Sequence, residues 1–232
     1  MAEARQATAE DLLRIDLFQR LDIAERRRLA EVALLHRWPR GSTVFHEGDP
    51  SDRFLVIIEG RVKVFKTTAA GRQLILEIFG PGGPLGTVAL YEDRPYPATA
   101  EVLEDAEVLA IPRGPFFALL DSRPTLVRGL LLAMTHRLVD LTRRLADLTG
   151  GRVDSRIARL LLKLADDFGR AGEDGTFIAL SLSRQELADL IGTTIETCIR
   201  TMSRLAKEDI VRTEERGFTL LDRAALETLA AE

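Results

Sequence analysis

The stretch 183–207, SRQELADLIGTTIETCIRTMSRLAK, allows few folds. Ser183, followed three residues later by Glu186, has the form of a capping box that satisfies the first free amides of a helix. Leu187, Leu190 and Ile191 supply that helix with an apolar face. Gly192 ends it, because glycine takes the left-handed conformation that closes a helix. Thr193 or Thr194 caps a second helix, with Glu196 three residues after Thr193. In this second helix Cys198, Met202 and Leu205 follow i, i+4, i+7 and form one apolar face. Glu196, Arg200, Ser203 and Lys207 repeat that spacing about 200° away, at about 100° per residue. An arginine can bond the acceptors of guanine, and a glutamate can accept from the cytosine amino group. The pattern is that of a helix-turn-helix whose second helix lies in the major groove. Glu196 and Arg200, one turn apart, also read as an ordinary surface ion pair, so the rest of the chain has to decide.

At 232 residues the chain is long enough for two domains. Its net charge of −4 argues against a histone-like, non-specific nucleic-acid binder. Sequence-specific binding needs only a local basic face. One cysteine excludes an intrachain disulfide framework and an iron–sulfur cluster held by one chain's cysteines. His36, His46 and His136 show no metal-ligand spacing. No His-x-His motif, Ser/His/Asp arrangement or phosphate loop stands out, so an enzyme is not expected. No apolar run approaches transmembrane length, and the acidic, amphipathic start lacks a signal-peptide core. No membrane association and a cytoplasmic location are expected.

Residues 9–35 read as helices, with Asp22 able to cap the second piece, and Trp38-Pro39 breaks the pattern. From 40 to 112 the period becomes two, with strands expected at 42–46, 54–59, 61–66, 73–79 and 100–111. Glycines, including the run GPGGPLG at 80–86, mark turns between them. Many short strands of this kind suggest a β-barrel or jelly roll enclosing a small cavity.

Residues 115–149 return to helix. Val127, Leu131, Met134, Leu138, Leu141, Leu145 and Leu148 recur in steps of four and three, the seam of a coiled coil, which implies a parallel homodimer. A single buried core helix is the other reading. Leu126, Leu130 and Ala133 form a second stripe for packing on the roll. Gly150-Gly151 is a hinge candidate, and Asp154 is placed to cap the next helix. Phe177–Leu182 reads as a strand, 210–222 as a hairpin or wing, and 223–230 as a last helix. The expected fold class is α+β. The expected division is a roll with N-terminal helices at 1–118, a dimerisation helix at 119–149 and a winged helix-turn-helix at 150–232.

With FLVIIEGRVKVFK, GRQLILEIFGPG, RIARLLLKLA and SRQELADLIGTTIETCIRTMSRL in this order, the chain resembles the CRP/FNR family of bacterial transcription regulators over nearly its whole length. The resemblance implies a cyclic-nucleotide-binding-like roll, a dimer on a palindromic site in double-stranded DNA, and an activator that contacts RNA polymerase. It implies that Glu196 and Arg200 read a G·C pair in a TG-containing half-site, while Arg184, Gln185, Thr194, Thr197 and Ser203 lie at phosphates. Ile195 and Ile199 depart from the well-known specificity classes, and Ile199 offers a thymine methyl an apolar partner.

Relatives that bind a cyclic nucleotide carry Gly-Glu-Leu and a later Arg-Ser or Arg-Thr. Here those positions read Gly86-Thr87-Val88 and Pro97-Ala98-Thr99. Both charged groups are missing, which argues against a cyclic nucleotide. Arg94, Gly82, Gly83, Gly86, Thr87, Thr99 and Thr142 remain as effector-pocket candidates. The cofactor is therefore unknown: no effector at all, an unidentified small ligand, or a haem or gas sensor using one of the histidines. Cys198 allows a redox reading, against which its apolar stripe suggests an inert buried thiol. The alternative to a DNA-binding regulator is an effector-binding roll whose second domain contacts a protein. Arg184, Arg200, Arg204, Lys207 and Arg212 around the two helices and wing favour DNA. Residues 151–232 nevertheless carry 12 Lys and Arg against 15 Asp and Glu, a net of −3.

Overall fold

A computed structural model describes residues 3–69, 71, 73–149 and 152–231, with the side chains of 136, 140 and 143–149 excepted. The chain divides into two compact units, Met1–Arg137 and Leu138–Glu232. In the first, the elements are β1 (Glu3–Gln6), α1 (Ala9–Leu13), α2 (Asp16–Gln19), α3 (Ile23–Ala30), β2 (Leu34–Trp38), β3 (Thr43–Phe45), β4 (Arg53–Thr67), β5 (Gln73–Phe79), β6 (Pro84–Leu85), α4 (Thr87–Glu92), β7 (Thr99–Pro112) and α5 (Arg113–Ser122). Helix α6 (Pro124–Thr149) runs across the division. The second unit continues with α7 (Val153–Phe168), β8 (Gly169–Gly172), β9 (Gly175–Ile178), α8 (Arg184–Ile191), α9 (Ile195–Lys207), β10 (Val211–Glu214), β11 (Gly217–Leu220) and α10 (Arg223–Ala231).

The first unit is built on a seven-stranded antiparallel sheet of order β1-β2-β7-β4-β5, with β3 on β7 and β6 on β4. The path ends on β1 and β5, which do not pair with each other among the described residues, so this is a roll rather than a closed barrel. Alternation along β4 divides its side chains between two cores. Phe54, Val56 and Ile58 pack with Leu12 and Phe18 of the N-terminal helices, Phe116 of α5, and Leu126 and Leu130 of α6. Leu55, Ile57 and Val62 face the roll interior with Phe45, Phe79, Tyr96, Val102 and Val108.

Several expectations change. The two strands expected on either side of Gly60 are one continuous β4. Gly60 (φ +82°) lies among register shifts against β7, where a Cβ would come 2.2 Å from the Asp105 carbonyl oxygen. It is a bulge glycine, not a turn glycine. Leu34 and Leu35 belong to a strand rather than a helix, because β2 pairs with both β1 and β7. The helix read over 115–149 breaks before Pro124. Arg123 there is non-helical (φ −134°, ψ 80°), as the residue before a proline tends to be. Asp22 caps α3 as expected, in a capping box with Glu25.

In the second unit a four-stranded sheet, β10-β11-β9-β8, packs with the helices around buried Ile157, Leu161, Leu187, Leu190, Phe218 and Leu226. The strand expected at 177–182 ends at Ile178 and instead begins at Gly175, paired to an unexpected β8. The hairpin β10–β11 forms the expected wing. Arg152, not Asp154, occupies the N-cap of α7, and Asp154 lies in its first turn with another task.

Candidate nucleic-acid interface

Local chemistry builds α8 and α9 much as their sequence suggests. Ser183 caps α8 reciprocally with Glu186, the Glu186 amide donating to Ser183 Oγ (3.1 Å) and the Ser183 amide to Glu186 Oε2 (2.9 Å). Gly192 closes α8 in the left-handed region at φ 65°. Thr194 caps α9, accepting from the Thr197 amide at 3.4 Å.

The back of α9 is formed by buried Cys198, Thr201, Met202 and Leu205. On the opposite side Glu196, Ile199, Arg200, Ser203 and Lys207 are exposed. Glu196 and Arg200 form no ion pair with each other among the described residues, although they stand one turn apart. Arg184 of α8 reaches the wing, its Nη2 donating to Thr213 Oγ1 (2.8 Å) and its guanidinium 5.9 Å from the Phe218 ring centre. Gln185 is exposed and donates to Asp189 (2.8 Å), and Thr197 is half-buried with its hydroxyl against Thr194.

Besides Arg184, two of the five cations expected to favour DNA are held in ion pairs inside the unit. Arg204 pairs with Asp154 (2.8 Å), and Arg212 pairs with Asp174 (2.9 Å) and Glu214 (3.3 Å). Asp154 and Asp174 come from distant segments and Glu214 lies two residues along the same strand, none of which helical spacing reveals. Arg216, exposed at the turn of the wing, is a cation the sequence reading passed over; its place in the hairpin turn EERG was the available signal. Cys198 is fully buried, and burial pushes its thiol pKa up against a smaller downward pull from Arg184.

Most of the candidate effector residues have their polar groups engaged by nearby parts of the chain. The Gly82 and Gly83 amides donate to Ile57 and Gly80 carbonyls (2.8 and 3.0 Å), so neither is available to a phosphate. Gly86 (φ 62°) has the Tyr96 ring against it, 2.2 Å from where a Cβ would stand. Tyr96 in turn stacks on Phe45 with ring centres 3.8 Å apart, and burial pushes its hydroxyl up to about 12. The Thr87 hydroxyl is buried without a hydrogen-bond partner among the described residues. Arg94 does not reach in: its side chain is 75% exposed and faces Glu92 at 3.4 Å. Thr99 accepts from the Glu47 amide (3.0 Å). Thr142 belongs to the second unit and donates to the Leu138 carbonyl one turn back (2.8 Å).

A contact the sequence reading missed is Arg137 of α6. It pairs with Glu77 of β5 (2.9 Å) and lies 4.6 Å from the centre of the Phe79 ring. A cavity of about 600 Å³ lies elsewhere in this unit, lined in part by Leu17, Phe54, Pro84, Gly129 and Ala133. Ala133 thus lines a cavity as an exposed residue instead of packing on the roll with Leu126 and Leu130. His36 stacks on Trp38, and burial lowers its pKa. His46 is exposed, and the His136 side chain lies outside the described residues. No group of three or more His, Cys, Asp or Glu that could hold a metal occurs among the described residues.

On α6, Val127, Leu131, Leu138 and Leu141 of the seam are exposed, Leu131 and Leu138 to 65%, while Met134 is half-buried. The side chains of Leu145 and Leu148, and the Gly150-Gly151 hinge, lie outside the described residues. No helix among the described residues is long and apolar enough to cross a membrane.

Residues 35–123 match the cyclic nucleotide-binding domain, and 155–229 match the Crp-like helix-turn-helix domain. The cyclic AMP receptor protein of Thermus thermophilus is 31% identical over 193 residues, 83% of this chain and 86% of its own. The CRP-like cAMP-activated global transcriptional regulator of Mycobacterium tuberculosis is 29% identical over 217 residues, 94% of this chain and 97% of its own. The transcriptional activator protein anr of Pseudomonas aeruginosa is 28% identical over 191 residues, 82% of this chain and 78% of its own. Among solved structures, a CRP-family transcriptional regulator from Thermus thermophilus superposes with a TM-score of 0.73 at 27% identity, covering 84% of this chain and 96% of that one. Roll, helix-turn-helix and wing in this order, on a chain this similar to these regulators, carry one conclusion: the protein belongs to the CRP/FNR family of DNA-binding transcription regulators.

Proposed function

We propose that the protein works as a homodimer, joined along the exposed apolar stripe of α6, and places one α9 in each half of a palindromic operator. Glu196 and Arg200 read a G·C pair within a TG-containing half-site. Ile199 contacts a neighbouring base, while Arg184, Gln185, Thr194, Thr197 and Ser203 hold the phosphates. One observation carries this reading: Glu196 and Arg200 are exposed and not paired to each other, over a back packed by Cys198, Met202 and Leu205. A side chain without an internal partner can form its strong charge-assisted bonds with a base edge. The protein activates transcription in the cytoplasm through RNA polymerase, a reading supported by its similarity to a named activator. Function divides among a roll at 1–118, the dimer helix at 119–149 and the DNA-binding part at 150–232, with Gly150-Gly151 as hinge.

The roll is not built for a cyclic-nucleotide phosphate. Thr87 and Ala98 stand where cyclic-nucleotide-binding relatives carry charge, and the nearby Gly82 and Gly83 amides are engaged. A ligand there acts only by favouring one arrangement of the dimer over another.

Selection of sites from random duplex DNA, with and without cell extract, combined with sedimentation of the purified protein, tests this. The expected result is a dimer and a symmetric site whose half-sites lie about one helical turn apart. A monomer at working concentration, or no enriched sequence in either arm, would overturn it. Enrichment only with extract would identify a required soluble factor.

A further inference from the structure

Thr201 occupies a place on α9 that the apolar stripe would fill with a hydrophobe. It is 5% exposed, yet its hydroxyl is satisfied: Oγ1 donates to Asp154 Oδ1 at 2.9 Å. The other oxygen, Oδ2, lies 2.8 Å from Nη2 of Arg204, three residues further along α9. One carboxylate from the first turn of α7 therefore accepts a hydrogen bond from Thr201 and pairs by charge with Arg204, whose Nη2 is close enough for an ion pair but makes no aligned hydrogen bond among the described residues. Its position suits a negative charge, since the first turn of a helix favours carboxylates. Arg204 lies about 40° around the helix from Arg200 and one turn beyond it, at the flank of the exposed stripe. Without Asp154 it would be a fifth polar side chain beside Glu196, Arg200, Ser203 and Lys207, with a guanidinium that suits phosphate.

We propose that Asp154 is a positioning and specificity-determining residue, holding α9 through Thr201 and withholding Arg204 from the DNA backbone. This rests on the reading that α9 enters the groove. Phosphate contacts add affinity for any sequence, whereas base contacts discriminate. Removing a cation from the phosphate inventory thus lowers affinity for operator and random DNA alike and leaves discrimination to the base contacts that Thr201 helps to place.

The test measures the salt dependence of binding by the full-length protein to its selected operator and to a random duplex of equal length. Arg204→Ala should leave the slope of log affinity against log salt unchanged on both. If Arg204 touches phosphate in the wild type, the slope falls by about 0.9 for each lost contact, and the proposal is overturned. Asp154→Ala should steepen the slope on both duplexes by about 0.9 per freed arginine and, by releasing Thr201, reduce the operator-to-random ratio. Asp154→Ala/Arg204→Ala should return the slope to the wild-type value. Thr201→Val should weaken operator binding without changing the slope. A folded Asp154→Ala protein with an unaltered slope sinks the proposal; if that variant does not fold, Arg204→Ala decides alone. Arg200→Ala is the control for the underlying reading. If it keeps full operator preference, the placement of α9 falls, and the clamp with it. If it loses preference while Arg204→Ala flattens the slope, only the clamp falls.

Discussion

The turn at Gly86 in the roll and the exposed face of α9 occupy comparable places in their units. Each is backed by a packed core, and the sequence alone points to each as a place for a ligand. They are finished differently. Around Gly86 the protein turns inward: the Tyr96 ring lies against the glycine, and the nearby Gly82 and Gly83 amides are bonded to the chain's own carbonyls. On α9, Glu196 and Arg200 face outward without pairing to each other, and the helix is held from behind. A packed site contributes stability, and an unsatisfied polar face contributes recognition. Mutations should therefore separate the two regions by what they damage.

The largest separation is expected from Tyr96→Ala. Deleting this buried ring should cost about 3–5 kcal/mol, read by urea unfolding through the fluorescence of Trp38, the single tryptophan, which lies in the first unit. A loss below about 1 kcal/mol, under the usual range for such a deletion, would mean that the Gly86 turn borders open space instead of packed core. Arg200→Ala should do the reverse, leaving unfolding unchanged and costing about 1–3 kcal/mol of operator discrimination, read by anisotropy titrations on matched and altered half-sites. An equal loss on every sequence would make Arg200 a phosphate contact.

Acid gives a smaller and one-sided effect. The hydrogen bond from Arg5 holds the Asp11 carboxyl down from the ordinary 3.8 to about 2. The folded-state pKa is depressed, so the stabilisation is fully present above the unfolded value and disappears as pH falls from about 4 toward 2. Trp38 fluorescence should show Arg5→Ala unfolding at a higher pH than wild type; coincident curves would remove Asp11 from the acid response. The smallest effect should come from thiol reagents. Burial raises the Cys198 pKa and shields it from attack, so labelling of the folded protein at neutral pH should be slow and leave DNA binding intact. Rapid native labelling with loss of binding would restore a redox role and blur the contrast between packed and recognising surfaces.

The helix-turn-helix was legible because its determinants are local. Capping by Ser183 and Thr194, closure at Gly192 and the division of α9 into two stripes all depend on residues within one or two turns. The long helix and the wing were legible for the same reason. Strand limits were less so, because pairing partners fix them: Gly60 reads as a turn until β7 is laid beside β4 and makes it a bulge. The effector end was the least legible. The absence of Glu and Arg from the two nucleotide motifs could be seen, but the engagement of the glycine amides and the direction of Arg94 could not.

By itself the sequence determined the order of modules and the face that α9 presents, since helical periodicity and capping act between near neighbours. Tertiary structure alone decided which charges that face keeps. Arg204 and Asp154 stand 50 positions apart and Arg212 and Asp174 stand 38 apart, and both pairs meet only after folding. The same is true of Arg137 over Phe79 and of Tyr96 against Gly86. The physical reason is that a charge or ring is committed by whatever the fold brings within hydrogen-bonding or van der Waals reach, and that is a property of distance in space.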